Sequence, residues 1–144
     1  MARPATAVVD ASVAAKWFLE ESDTRAAIDL RRRHLEGEIR LVAPDLLVYE
    51  VANALRYHPR IGAEQWARHI GDLLSLDLGL DPPTEESMSA AVDVAFRHGL
   101  SLYDAAYISL AERLDAVLYT ADEGLLRAAG ALGESVRSRG PPER

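Results

Sequence analysis

The sequence predicts a three-layer α/β/α sandwich, one domain in which helices cover both faces of a parallel sheet. Three observations lead there. Short apolar runs recur at 6–9, which is rich in β-branched residues, and at 41–43 and 116–119, and runs of that kind read as strands buried on both sides. Longer stretches with apolar residues at helical spacing lie between them, and such alternation of strand with helix is how parallel strands are connected. The 144 residues contain no repeat and no low-complexity linker. A chain of that size forms one domain and buries roughly 68 to 70% of its unfolded surface.

Each element has a local reason. Residues 6–9 form the first strand, and Ser12 is expected to cap a short helix carrying Val13, Trp17 and Phe18. Ser22 or Asp23 opens a second helix that runs to Leu35 and stops at Gly37. After the strand at 41–43, Pro44 and Asp45 start a helix to about Tyr57, and Pro59 ends it. Residues 63–76 form a helix with Trp66, Ile70, Leu73 and Leu74 on one side, followed by a short strand at 78–80 before Pro82 and Pro83. Thr84, with Glu85 and Glu86 in the first turn, opens a helix to Arg97 that Gly99 closes. A helix over 101–114, the strand at 116–119, a helix over 123–129 and a weak edge strand at 135–137 complete the domain. It is expected to occupy residues 1–138, with 139–144 a mobile tail.

Composition narrows the function classes. The chain is 49% hydrophobic and 27% charged, ordinary for a globular protein. No apolar stretch spans a bilayer, and the first residues lead into a strand, not a signal-peptide core; a cytoplasmic protein is expected. With no cysteine, disulfides, thiolate nucleophiles and cysteine-bound zinc are excluded. The net charge of −7 argues against a surface uniformly built to grip nucleic acid, though not against a local basic groove. Fifteen of the sixteen basic residues are arginine and only Lys16 is lysine. No Walker or dinucleotide pattern follows a strand, so no nucleotide cofactor is expected.

Four carboxylates stand in positions that cost free energy. Ligands bind sheets of this class at the carboxyl ends of the strands. Asp10 directly follows the first strand and Asp122 follows the 116–119 strand closely, so both belong to one rim. Asp115 precedes that strand and belongs to the opposite edge. Glu50 and Asp104 share helix faces with apolar neighbours and are expected to face inward. An unpaired buried carboxylate is expensive, and two like charges about 4 Å apart repel by roughly 4 kcal/mol at an effective dielectric near 20. Protons or a divalent cation relieve that cost. Magnesium and manganese suit a site made only of oxygens, which makes metal-assisted phosphodiester hydrolysis the chemistry such a cluster serves. Three of the acids also have a capping reading: Asp10 and Asp122 as helix N-caps, and Asp104 in a capping box with Ser101. Glu50 has none.

At these residues the chain resembles the PIN-domain nucleases, and among them the VapC-type toxins of prokaryotic toxin–antitoxin pairs. The matching segments are Val8-Val9-Asp10-Ala11-Ser12, Glu50-Val51-Ala52-Asn53-Ala54-Leu55, Leu102-Tyr103-Asp104-Ala105-Ala106-Tyr107 and Tyr119-Thr120-Ala121-Asp122, in register over nearly the whole chain. The resemblance implies a doubly wound parallel sheet of four or five strands and acids gathered around one or two Mg²⁺ or Mn²⁺ ions. It implies Asp10 and Asp104 as direct metal ligands, Glu50 as ligand or base, and Asp122 as the more variable fourth acid, binding the cation through water or fixing a second ion. Ser12 and Thr120 match hydroxyls that support the cluster. The implied reaction is endonucleolytic cleavage of RNA, and the implied partners are a VapB-like antitoxin and a second copy of the chain.

Other residues take ordinary roles. Arg31-Arg32-Arg33-His34 reads first as a solvated helix face. Lys16 is the preferred phosphate contact, with Arg56 a second candidate and His58 and Arg60 beside it. The four histidines form no zinc motif and are expected at the surface or as caps. Trp17, Phe18, Trp66 and Phe96 are read as core or dimer interface. Among alternatives, a receiver-like magnesium module needs paired acids ahead of the first strand's Asp and a late lysine, and a haloacid-dehalogenase-like phosphatase needs a second Asp at position 12; the sequence has none of these. A non-catalytic PIN-like interaction module remains, and metal-dependent cleavage separates it from an enzyme.

Overall fold

The structure, a computed structural model, describes residues 3–19 and 24–136. Five parallel strands, β1 (Ala5–Val9), β2 (Ile39–Pro44), β3 (Gly79–Asp81), β4 (Val117–Thr120) and β5 (Gly133–Ser135), lie in the order β3-β2-β1-β4-β5. The predicted sandwich is therefore present. The last edge strand, expected at 135–137, is instead β5 at Gly133–Ser135 and ends before Val136. The expected helix start at Ser22 or Asp23, Arg137, and the boundary at 138 with its tail lie outside the described residues.

The central strands carry their sequence character into the core. Val8, Val9, Leu41, Ala43 and Leu118 are buried, as expected of strands covered on both faces. The helices are α1 (Ala11–Ala14, continued by a 3₁₀ turn, Ala15–Trp17), α2 (Thr24–Leu35), α3 (Leu46–Arg56), α4 (Ala63–Leu74), α5 (Glu85–His98), α6 (Leu102–Leu114) and α7 (Glu123–Ala129). Contacts join α1, α2 and α3 to β2 and β4 and join α4 to α3, while α5, α6 and α7 form a second packed group, with α6 lying against β1, β2 and β4.

Several boundaries have the predicted chemistry. Thr84 and Ser87 make a reciprocal capping box at the start of α5, and Gly99 ends that helix in the left-handed conformation at φ 64°. Gly37 turns the chain after α2 at φ 78°. Others differ. Asp10, not Ser12, is the N-cap of α1, because the Ser12 hydroxyl is donated to Asp10 itself. Asp45 has helical backbone angles and makes no side-chain cap, while Pro44 closes β2, where its missing N–H is tolerated at a strand end.

The basic run at 31–34 is partly a solvated face and partly architecture. Arg32 pairs with Asp29 and Glu36, but the Arg31 guanidinium donates to the Trp17 carbonyl at 3.2 Å. His34, expected at the surface or as a cap, is a bridge: the Leu41 N–H donates to its Nδ1 at 3.0 Å and its Nε2 lies 2.8 Å from the Leu76 carbonyl. That pattern requires a neutral ring protonated on Nε2. Trp17 is core, its Nε1 donating to the Ala27 carbonyl. Phe96, by contrast, is 93% exposed and Leu74 is also exposed, so neither belongs to this chain's core.

Candidate active site

In doubly wound sheets the ligand crevice opens where the strand order reverses, outside the carboxyl ends of the strands. That point falls between β1 and β4, whose pairing of Val9 with Tyr119 brings the residues just beyond both strands together. Asp10 stands there, 4% exposed. Its Oδ1 accepts from the Ser12 hydroxyl at 2.7 Å and the Val13 N–H at 3.1 Å, and its Oδ2 accepts from the Thr120 hydroxyl at 2.5 Å. The two hydroxyls also join the loops, since Ser12 Oγ accepts from the Ala121 N–H and Thr120 Oγ1 from the Asp122 N–H, both at 2.9 Å.

Thr120→Val keeps the shape of the side chain but leaves a buried carboxylate oxygen and the Asp122 N–H without this partner. Urea unfolding in EDTA is expected to show a loss of about 1–3 kcal/mol, while Thr120→Ser stays near wild type. Equal stability of the Val and Ser variants would remove the hydroxyl from this role.

The other acids come from three further elements. Glu50 lies in the middle of α3, half-buried, and its Oε1 accepts the Tyr107 phenol from α6 at 2.6 Å. Asp104 sits in the first turn of α6, where Ser101 is the cap and accepts the Asp104 N–H at 3.1 Å. Asp122 is the N-cap of α7, its Oδ1 accepting from the Leu125 N–H at 2.9 Å. Capping and clustering thus coexist at Asp10 and Asp122.

The charges act on one another. Burial pushes the Asp10 carboxyl above the ordinary range against the pull of Thr120, Ser12 and Val13, and Asp122 adds to the rise. Burial likewise raises Glu50, opposed by the Tyr107 hydrogen bond and reinforced by Asp104 and Asp10. Asp104, although exposed, is raised by partial desolvation in the first turn of α6 and then by Asp122. Burial, with the Glu50 bond next, drives the Tyr107 phenol far above its usual value, so it remains a proton donor to Glu50.

Over this cluster lies an open cleft of about 800 Å³, lined by Ser12, Lys16, Glu50, Asp122, Gly124 and Arg127 among others. Asp10 is buried beside it, accepting from the lining Ser12. A smaller, more apolar hollow of about 220 Å³ between the ends of β2 and β3 and helices α5 and α6 contains the Arg113–Asp81 ion pair and no member of the acid cluster. The chemistry belongs to the open cleft.

The donor set fits a hard divalent cation. No three His, Asp or Glu side chains form a ready-made metal-holding group among the described residues. Lone pairs are nevertheless available: of the four or so acceptor sites of a carboxylate, Asp10 uses three, Glu50 has Oε2 clear of the Tyr107 bond, and Asp122 has Oδ2 clear of its cap. Mg²⁺ asks for only one or two carboxylates and several waters, and open oxygens of that kind remain on Asp10, Glu50 and Asp122.

Glu50, Asp122, Ser12 and Lys16 line this crevice, Asp10 and Thr120 are hydrogen-bonded to each other beside it, and Asp104, outside its lining, is near enough to raise Glu50 and to be raised by Asp122. Two expectations are corrected. Asp104 is exposed, not inward-facing, because it sits in the first turn of α6, at the helix end, before the buried Tyr107 and Ile108. Arg56 leaves the crevice altogether: its guanidinium lies 5.9 Å from the Trp66 ring centroid, in a hollow with Ile61, an attraction of cation to ring face. Arg60 and His58 line another hollow, with His69. Asp115 lies before β4, at the other edge, as expected. Tyr107 and Arg127 are the site residues that sequence reasoning missed. Tyr107 had a signal, standing one helical turn after Asp104 in the quoted motif; Arg127 had none.

A family model described as PIN domain matches residues 7–131. The chain is 41% identical over 85 residues to the Exonuclease VapC9 of Pyrobaculum aerophilum, covering 56% of this chain and 61% of that relative. It is 33% identical over 122 residues to the Ribonuclease VapC3 of the same organism, covering 82% of this chain and 90% of the relative. Among solved structures, one of FitAB bound to an IR36 DNA fragment superposes with a TM-score of 0.69 at 17% identity, over 94% of this chain and 99% of that one.

Proposed function

The chain belongs to the PIN-domain family, and from that premise we propose that it is a metal-dependent endoribonuclease, the toxin of a VapBC-type pair, using Mg²⁺ or Mn²⁺ to hydrolyse RNA. The observation that carries this reading is the Asp10 carboxylate, buried at the β1/β4 crevice and held by Ser12, Val13 and Thr120, with Asp122 raising it and Glu50 raised by it, while Asp104 couples to Glu50 and Asp122. The names of the two VapC relatives, an exonuclease and a ribonuclease, support cleavage of nucleic acid. The strand order β3-β2-β1-β4-β5 also differs from the 2-1-3-4-5 order of receiver-like sheets.

Asp10 and Asp104 would hold the cation, with Asp122 tuning it or fixing a second. When bound, that cation supplies Lewis-acid stabilisation of charge developing on the phosphoryl oxygens and a water of lowered pKa. The protein's own groups prepare the rest. Ser12, Val13 and Thr120 hold Asp10 in one rotamer, and Tyr107 holds Glu50 Oε1, leaving Oε2 to orient or deprotonate the attacking water.

A VapB-like antitoxin and a second copy of the chain complete the proposed partners. The superposed FitAB chain was solved in an assembly on DNA, which supports a partnered toxin. No helix among the described residues is long and apolar enough to cross a membrane. Residues 1–138 are taken as the nuclease domain.

The test is incubation of the purified protein with total RNA and Mn²⁺, Mg²⁺ or EDTA. Internal cleavage is expected with either metal and none in EDTA, and Mn²⁺ at about a hundred times its Kd is expected to stabilise the fold by about 2.7 kcal/mol in thermal unfolding. Cleavage indifferent to EDTA would overturn the mechanism. Stabilisation by metal without cleavage would favour the interaction-module reading.

A further inference from the structure

The cleft is short of positive charge for a polyanionic substrate. Among the described residues, Glu50, Asp122 and Glu123 line it against two cations, Lys16 and Arg127. Lys16 is 9% exposed and already engaged. Arg127 is different: it is exposed on α7, and its guanidinium makes no hydrogen bond or ion pair among the described residues, whereas Arg32, Arg97 and Arg113 are each tied to acids. Gly124 lines the same cleft one helical turn earlier, and a Cβ there would stand 3.3 Å from Asp122 Oδ1. The missing side chain keeps the wall low between the acid and the arginine.

We propose that Arg127 is the phosphate-binding cation of this cleft, taking two non-bridging oxygens of an RNA backbone phosphate next to the one presented to the acids. The assignment rests on the RNA-cleaving reading above. A guanidinium matches a phosphate with two parallel N–H donors, which an ammonium does not. A flanking phosphate is bound alike before and during the reaction, so its loss raises KM and leaves kcat nearly unchanged.

The test compares wild type, Arg127→Gln, Arg127→Lys and, as a surface control on α4, Arg68→Gln. Binding of a labelled single-stranded RNA is followed by anisotropy with Ca²⁺ in place of Mn²⁺, and its cleavage is followed in Mn²⁺, both across a series of NaCl concentrations. Arg127→Gln is expected to weaken binding and raise KM about tenfold, the lower end of what a hydrogen bond to a charged group supports. Its log–log salt slope should flatten by about 0.7, one phosphate contact on a single strand. Arg127→Lys should keep the slope and lose part of the affinity, and Arg68→Gln should match wild type, with all melting temperatures unchanged. A wild-type protein that cleaves RNA while Arg127→Gln keeps its KM and salt slope overturns the assignment and leaves the nuclease reading intact. Arginine-dependent RNA binding without cleavage supports the assignment and overturns the nuclease reading. No RNA binding by wild type overturns both.

Discussion

Asp10→Asn is expected to remove metal-dependent RNA cleavage by roughly three orders of magnitude or more, about 4 kcal/mol of transition-state stabilisation, without unfolding the protein. Asparagine has the same shape. Its Oδ1 still accepts from Ser12 and Val13, and its amide faces a Thr120 hydroxyl that is free to rotate. What disappears is the charge. Because the Asp10 carboxyl is raised in the folded state, the native protein binds that proton more tightly than the unfolded chain does. Its stabilising contribution is present below the ordinary carboxylate range and is lost as pH rises through the raised value. In EDTA at neutral pH the variant should therefore melt at or above wild type, and the difference should close as the pH falls below about 4, where both forms are neutral. Mn²⁺ should stabilise wild type and not the variant. Retained cleavage, or a melting temperature well below wild type, would remove Asp10 from the centre of the site.

Tyr107 is expected to separate packing from positioning. It is among the largest fully buried side chains, so Tyr107→Ala should cost roughly 3–5 kcal/mol in urea unfolding, the range for deleting a buried aromatic. Tyr107→Phe retains the ring and loses only the phenol that holds Glu50 Oε1 at 2.6 Å. Its stability should fall by about 1 kcal/mol, yet metal affinity or cleavage should drop by roughly 10- to 100-fold, as when a group orienting a metal ligand is removed. A Phe variant with wild-type metal affinity and cleavage would make Tyr107 a core residue only.

The acids differ in how far local sequence could describe them. Asp10 and Asp122 were legible as rim residues because Asp10 directly follows an apolar strand and Asp122 follows one closely, and a capping role could be read from the same neighbours; the hydrogen bonds at Val13 and Leu125 show that one carboxylate can serve both ends. Glu50 was legible because an acid among apolar residues on a helix needs a partner, but the partner, 57 residues away in the chain, left no local trace. Asp104 was misjudged: periodicity assigns a helix face but not where the helix end sits relative to the sheet. Arg56 was misjudged likewise, since adjacency to Glu50 in sequence says nothing of the Trp66 ring that draws its guanidinium away.

The sandwich, the strand–helix alternation and an oxygen-only acid set were determined by the sequence itself, because hydrophobic periodicity, turn residues and the lack of cysteine are local properties. Only the tertiary structure decided which groups share the crevice. Pairing β1 with β4 puts Thr120 against Asp10 across 110 residues, packing α6 near α3 gives Glu50 its phenol, and α7 brings Arg127 to the cleft. Contacts of that range depend on strand order and helix placement, and those are set by the burial of the whole core.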